Sequence, residues 1–147
     1  MSFTIKIDDK DAKTLFKGIS ERAANPIEAN KIIANILRND VLSHIATQDG
    51  DGKQWEDLKP KTWEWKRKHG YTNMLVNTGN LRRRNIPKAG KDYALVYNDL
   101  DYAVRQNNGD KNLPARPWMW LSDIGLKKIT KLMANYIVRK GIISDWT

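Results

Sequence analysis

Two aspartates one residue apart, Asp99 and Asp101, come nearest in this sequence to a catalytic pair. Carboxylates so placed could share acid and base work, or hold magnesium for phosphodiester cleavage. Their setting argues otherwise. They follow the alternating run 93–98 and precede a helix-like segment, where aspartate ends strands and caps helices by bonding nearby backbone. His69 stands beside Gly70 at the end of a charged stretch and reads as a helix terminus before it reads as a general base. Only His44 accompanies it, and there is no cysteine, so disulfides, thiolate nucleophiles and His- or Cys-rich metal sites are excluded. The QDGDGK stretch at 48–53 offers acids in a turn but lacks the other ligand positions and terminal glutamate of a calcium loop. No P-loop lysine follows a glycine-rich run, and there is no Gly-x-Ser-x-Gly elbow. The expectation is a protein that is not an enzyme and holds no metal or cofactor.

What the sequence does concentrate is positive charge. From Lys53 to Lys91 eleven basic residues face three acidic ones, a net of +8 out of +9 for the whole chain. Such a block can meet nucleic acid, an acidic protein face or a membrane surface, or simply keep a wetted face soluble. Its densest part is Arg82-Arg83-Arg84, with Lys88 just beyond, and Trp63 and Trp65 lie upstream where they could stack on bases. Successive helical residues splay by about 100°, so the three arginines do not form one phosphate ladder. No helix-turn-helix, zinc finger or RNA-binding signature accompanies them. Arg82, Arg83, Arg84 and Lys88 are therefore expected to attract DNA lying nearby or an acidic partner. Trp63 and Trp65 cannot share a helical face, so at least one is expected to face a partner or pack under a loop.

These residues must be positioned by a small set of elements. Phe3, Ile5 and Ile7 alternate as a short strand does. Ala12, Leu15, Phe16, Ile19 and Ala23 have helical spacing, and Asn25-Pro26 ends that helix and opens a second. The apolar stripe from Ile32 to Ile45 makes this second helix the longest core element of the N-terminal half. Pro60 and Thr62 open a short charged helix that Gly70 closes, and Thr78 is expected to cap a turn carrying Leu81 and the arginines. Residues 93–98 read as a strand covered on both faces, and 101–107 as helix-like. Ser122 caps a final helix whose last turn holds Arg139 and Lys140, with Gly141 as its stop. The fold expected is α+β: two N-terminal helices and one C-terminal helix on a small, mostly antiparallel sheet, in one domain spanning 1–147. No run approaches the roughly eighteen apolar residues of a membrane span, and the opening MSFTIKIDDKDAK lacks a signal peptide's apolar core, so a cytosolic protein is expected.

Four segments in order carry a resemblance. Trp55-Glu56-Asp57-Leu58 with Thr62 and Lys66 is similar to W-x-x-L…T…K, and MLVNTGNL at 74–81 to I-L-x-x-T-G-x-L. Tyr102-Ala103 with Gln106 and Gly109 is similar to Y-A-x-x-H-Q-x-G, and Pro114-Ala115-Arg116-Pro117-Trp118 to P-A-R-P-F. In these segments the chain resembles the phage virion morphogenesis family, the tail completion or neck proteins of tailed phages and prophages. It departs in having Arg105 before the glutamine, Trp118 for phenylalanine and arginines after Leu81, and residues 2–24 carry no matching motif. The resemblance implies a structural subunit that joins other tail or head-tail connector proteins, as a homo-oligomeric ring, with DNA passing nearby and no membrane. It would assemble in the host cytoplasm and remain in the virion. The proline-stiffened stretch 102–118 would then reach a neighbouring subunit, with Gln106 on it and Arg116, Trp118 and Trp120 as anchors. The same chemistry would serve if Arg116 and Trp118 pinned the loop to their own core. A second functional reading is a small non-specific DNA-binding protein of a mobile element, with salt-dependent affinity.

Overall fold

The helical spacings translate directly into helices. The computed structural model describes residues 10–50 and 52–138, so the strand expected at 3–7 and the helix stop at 139–141 lie outside the described residues. Helix α1 covers Lys10–Ala24 and α2 Ile27–Thr47, with Pro26 just ahead of α2, where a missing N–H costs nothing. Ala29, Ala34, Val41 and Ile45 are buried along α2, which is the central element and packs on the longer strand pair and the last helix. At its end the chain turns through Gln48, whose left-handed backbone (φ 58°) returns its N–H to His44 O. The Gln48 side chain is also used: its Oε1 accepts a 2.7 Å bond from Met74 N–H.

The turn-rich 48–53 stretch forms a minimal hairpin, β1 (Asp49–Gly50) with β2 (Lys53–Gln54). Helix α3 (Pro60–Lys68) starts at the expected proline and ends at His69, after which Gly70 adopts φ 75°. Helix α4 is the single turn Asn80–Arg83. Its capping position is held by Gly79 at φ 78°, not by Thr78, whose hydroxyl lies 3.5 Å from Asn80 N. Strands β3 (Asn85–Ala89) and β4 (Ala94–Asn98) pair antiparallel, from Asn85 opposite Asn98 to Ala89 opposite Ala94. The expectation that β4 is covered on both faces fails. Val96 packs on the core, while Leu95 and Tyr97 on the other face are 37% and 41% exposed, because this two-stranded ribbon has α2 behind it on one side.

Helix α5 spans Ala103–Asn108 and α6 Asp123–Val138. Ser122 caps α6 as expected, its Oγ accepting the Gly125 N–H at 3.0 Å. Asp40 of α2 holds that cap, accepting from Ser122 N–H (2.7 Å) and Oγ–H (2.6 Å). Far along α6, Tyr136 Oη donates to Asn25 O, so α6 runs antiparallel to α2. Arg22 of α1 reaches Ile137 O with Nε and Nη2, which docks α1 on α6 and leaves Leu15 and Phe16 largely exposed. The class is α+β, with two separate two-stranded antiparallel sheets among the described residues. The core cluster is Val41, Ile45, Trp55, Leu81, Ala103 and Trp118.

Candidate functional site

Between α3 and α6 most of the chain is irregular, and polar ties over long sequence distances fix its course. Trp55 Nε1–H donates to Pro117 O at 3.0 Å, and Gly50 lies so close to Pro117 that an added Cβ would fall 2.4 Å from its ring. The Arg116 main-chain N–H bonds Gln106 O, and its Nη2 bonds Glu56 O at 3.1 Å. Asn73 Nδ2 donates to Ile45 O at 2.7 Å. Asn107 Oδ1 accepts from the main-chain N–H groups of both Trp118 and Met119. At the centre lies Asn85, without exposed surface. Its Nδ2 donates to Leu81 O and Arg82 O, and its Oδ1 accepts from Asn98 Nδ2 and Trp118 Nε1.

These ties gather separate loops around one cleft of about 640 Å³, within the size range of ligand sites. Residues 56–59 with Trp65 and Lys66 line it on one side, and 77–81 on another. Tyr102 and Gln106 of the α5 region and 112–114 with Arg116 complete it. Two cations lie in its lining with little exposure, Lys66 at 6% and Arg116 at 3%. Lys66 Nζ donates to Asn73 O (3.0 Å) and Val76 O (2.9 Å) and sits 5.6 Å from the Tyr71 ring centre. Burial holds its pKa below the ordinary lysine value. Burial likewise lowers the Arg116 pKa, against the opposing pull of Glu56 and Asp57. Arg116 Nε is buried without a hydrogen-bond partner among the described residues. Asp57, which is exposed, is held below the usual carboxylate range by bonds from Trp63 Nε1–H (2.6 Å) and Leu58 N–H (2.8 Å).

A model of the phage virion morphogenesis family matches residues 7–138. The chain belongs to that family. Membership gives it a role in assembling the phage particle. No curated protein and no solved structure matches it. The match begins in residues that the sequence motifs left unassigned and reaches the end of α6. All four family-like segments contribute to the cleft: Glu56–Leu58 with Lys66, 77–81, Tyr102 with Gln106, and Pro114 with Arg116.

Within this family member, the sequence-predicted residues separate into three groups. Gln106, Trp65 and Arg116 line the cleft, with Trp65 46% exposed at its rim and stacked on His69. Trp118 and Trp120 lie outside the cleft lining, Trp118 in the core and Trp120 beside His44. Trp118 has no exposed surface, and half-buried Trp120 stacks on His44 at 4.0 Å. Arg116 and Trp118 are both held within their own domain, by the Glu56 carbonyl and by Asn85. Trp63 is half-buried against Asp57. The basic residues form the third group, all exposed. Arg84 pairs with Asp99 through both carboxylate oxygens, and Arg83 folds back onto Thr78 O and Asn80 Oδ1. Arg82 and Lys88 make no ion pair among the described residues.

Sequence reasoning missed Lys66 and Tyr102 as lining residues. The sequence marks Lys66 only as a member of the W-x-x-L…T…K segment; Thr62, one turn earlier, is itself exposed, so no local pattern signals the burial of Lys66. Among the described residues no group of three or more His, Asp or Glu comes together to hold a metal, and no helix is long and apolar enough to cross a membrane.

Proposed function

We propose that this family member is a non-enzymatic structural subunit that completes the tail or joins head to tail, working through protein contacts as part of a ring. The observation that carries this reading is the convergence of the four family-like segments on one aromatic-rimmed cleft. These segments bring backbone turns together with Glu56, Asp57, Lys66, Tyr102 and Arg116 to its lining. Exposed Trp65, Tyr102, Tyr93 and Tyr97 are residue types that anchor protein interfaces. Assembly takes place in the host cytoplasm and the subunit stays in the virion, with other tail or connector proteins as partners. Exposed Arg82 and Lys88 provide attraction to DNA threading the ring or to an acidic neighbour. Independent DNA binding is the weaker reading, because pairing of Arg84 with Asp99 and burial of Lys66 remove two charges from the block.

Light scattering across protein concentration and salt, with and without duplex DNA, tests the reading. A defined oligomer, or a monomer indifferent to DNA, is the expected result. A monomer that forms salt-sensitive complexes with DNA would overturn it.

A further inference from the structure

Lys66 and Arg116 are the buried Lys and Arg side chains among the described residues, and both line the same cleft. Neither forms an ion pair there; each is compensated by main-chain carbonyls, and Arg116 Nε by nothing. A cation withdrawn from water and left with only carbonyl dipoles is costly, and a carboxylate at hydrogen-bond distance offsets that cost. Glu56 and Asp57 do not serve. Both are exposed and form no ion pair with either cation; they act on Arg116 only through space, and Asp57 Oδ1 is taken by Trp63 and Leu58. Among the described residues no carboxylate forms an ion pair with Lys66 or Arg116.

Resting on the assembly role above, we propose that the cleft receives an extended acidic segment of another virion protein, its carboxylate paired with Lys66 and Arg116 and its apolar neighbours laid on Trp65 and Tyr102. The rim suits a polypeptide: Trp65 and Tyr102 are 46% and 44% exposed, and Leu75 and Leu113 lie in the same lining. Spare N–H groups on a guanidinium and an ammonium give charge-assisted bonds to one carboxylate. A nucleic-acid strand fits less well, because it brings a phosphate at every nucleotide past Glu56 and Asp57, whereas a single carboxylate meets a lining in which Lys59, Lys66 and Arg116 outnumber those two acids. The cleft thus takes one negative charge and apolar flanks.

The test is ¹⁵N NMR of the full chain titrated with acetyl-Ala-Phe-Leu-Glu-Leu-Ala-amide, with its Gln counterpart, and with a thymidine oligonucleotide, each to about 1 mM, where even weak recognition registers. The Glu peptide is expected to shift the Arg116 Nε–H, the Trp65 indole N–H and the amides of 77–81. The Gln peptide should bind at least about ten-fold more weakly, the loss set by one charge-assisted bond. Lys66→Met should weaken the Glu peptide similarly while the Trp118 indole signal stays in place. Should that variant fail to fold, Trp65→Ala on the exposed rim is expected to weaken binding with the fold intact. Equal binding of the Gln peptide, no shifts in the cleft, or cleft shifts caused by the oligonucleotide alone would each overturn the proposal. A phage lacking this chain separates the two readings. Unjoined particles together with a silent peptide titration sink only the carboxylate site, whereas complete infectious particles sink the assembly role whatever the peptide does.

Discussion

Replacing Asn85 probes the network on which the cleft is built. Its amide works on both sides: Nδ2 reaches Leu81 O (3.0 Å) and Arg82 O (3.2 Å), and Oδ1 receives Asn98 Nδ2 (3.1 Å) and Trp118 Nε1 (3.2 Å). In Asn85→Ala, Asn98 Nδ2 keeps Leu81 O at 2.9 Å, but the Trp118 indole N–H, in a residue with no exposed surface, loses its acceptor. One orphaned buried donor costs about 1–3 kcal/mol and the lost bonds to Arg82 O and Asn98 about 1 kcal/mol more. A total of about 3 kcal/mol corresponds to a Tm lower by roughly 6–12 °C in a chain of this size. Asn85→Asp separates the donor role from the acceptor role. It keeps an oxygen for Trp118 but sets a carboxylate against two carbonyls within hydrogen-bond distance, and Arg38, bound to the main-chain oxygen of the same residue at 3.0 Å, only partly offsets them. The introduced carboxyl therefore has its folded pKa raised above the unfolded value of about 3.9. Its neutral form is kept below that value, and stability is lost as pH rises through the folded pKa. Urea unfolding at about pH 4 and pH 7 should show a deficit against the parent that grows with pH for Asn85→Asp and stays flat for Asn85→Ala. An alanine variant within about 0.5 kcal/mol of the parent, or a pH-independent aspartate deficit, would refute the network as drawn.

Two further outcomes follow from the packing. Gly125→Ala places a Cβ 2.7 Å from Leu121 Cδ1 and 2.8 Å from Asp40 Oδ2, and Asp40 is held by its bonds to Ser122. The gain of about 1 kcal/mol in helix propensity is outweighed by overpacking of about 1–3 kcal/mol, so urea unfolding should show a net loss, and a stabilised variant would contradict the α2–α6 contact. Lys66 has its folded pKa lowered from the ordinary 10.5 by burial, so the folded state releases its proton first. Stability of the parent relative to Lys66→Met should rise as pH climbs through that folded pKa toward 10.5; an unchanging difference would mean that the ammonium is not desolvated.

Much of the helical framework was legible because its signals are local. Pro26, Pro60, Gly70 and Ser122 mark helix ends through their own backbone chemistry, and the α2 stripe follows from spacing alone. Strand β3 was not foreseen. It contains Pro87, and its strand character comes from pairing with β4, a non-local cause. The solvent face of β4 was misjudged since an apolar run does not reveal how many layers cover it. The four motifs were readable one by one, yet their meeting in one cleft was not. The bonds that bring them together end largely on main-chain carbonyls, of Pro117, Glu56, Gln106, Asn73 and Val76, and every residue type has one. For the same reason the sequence left open whether Arg116 turned inward, which only its burial against Glu56 O decided.

The long reach of those ties sets an order of events in the cell. Trp55 waits for Pro117, Glu56 for Arg116, and Asn85 for Trp118, and the α2 residue Asp40 waits for Ser122. A ribosome releases the earlier member of each pair several seconds before the later one, at roughly 5–20 residues per second. A nascent chain that already displays α2 and α3 consequently has no cleft to offer, and neither does a product truncated before the PARPW segment. Formation of the cleft is thus deferred until the segment from Arg116 to Ser122 has been made.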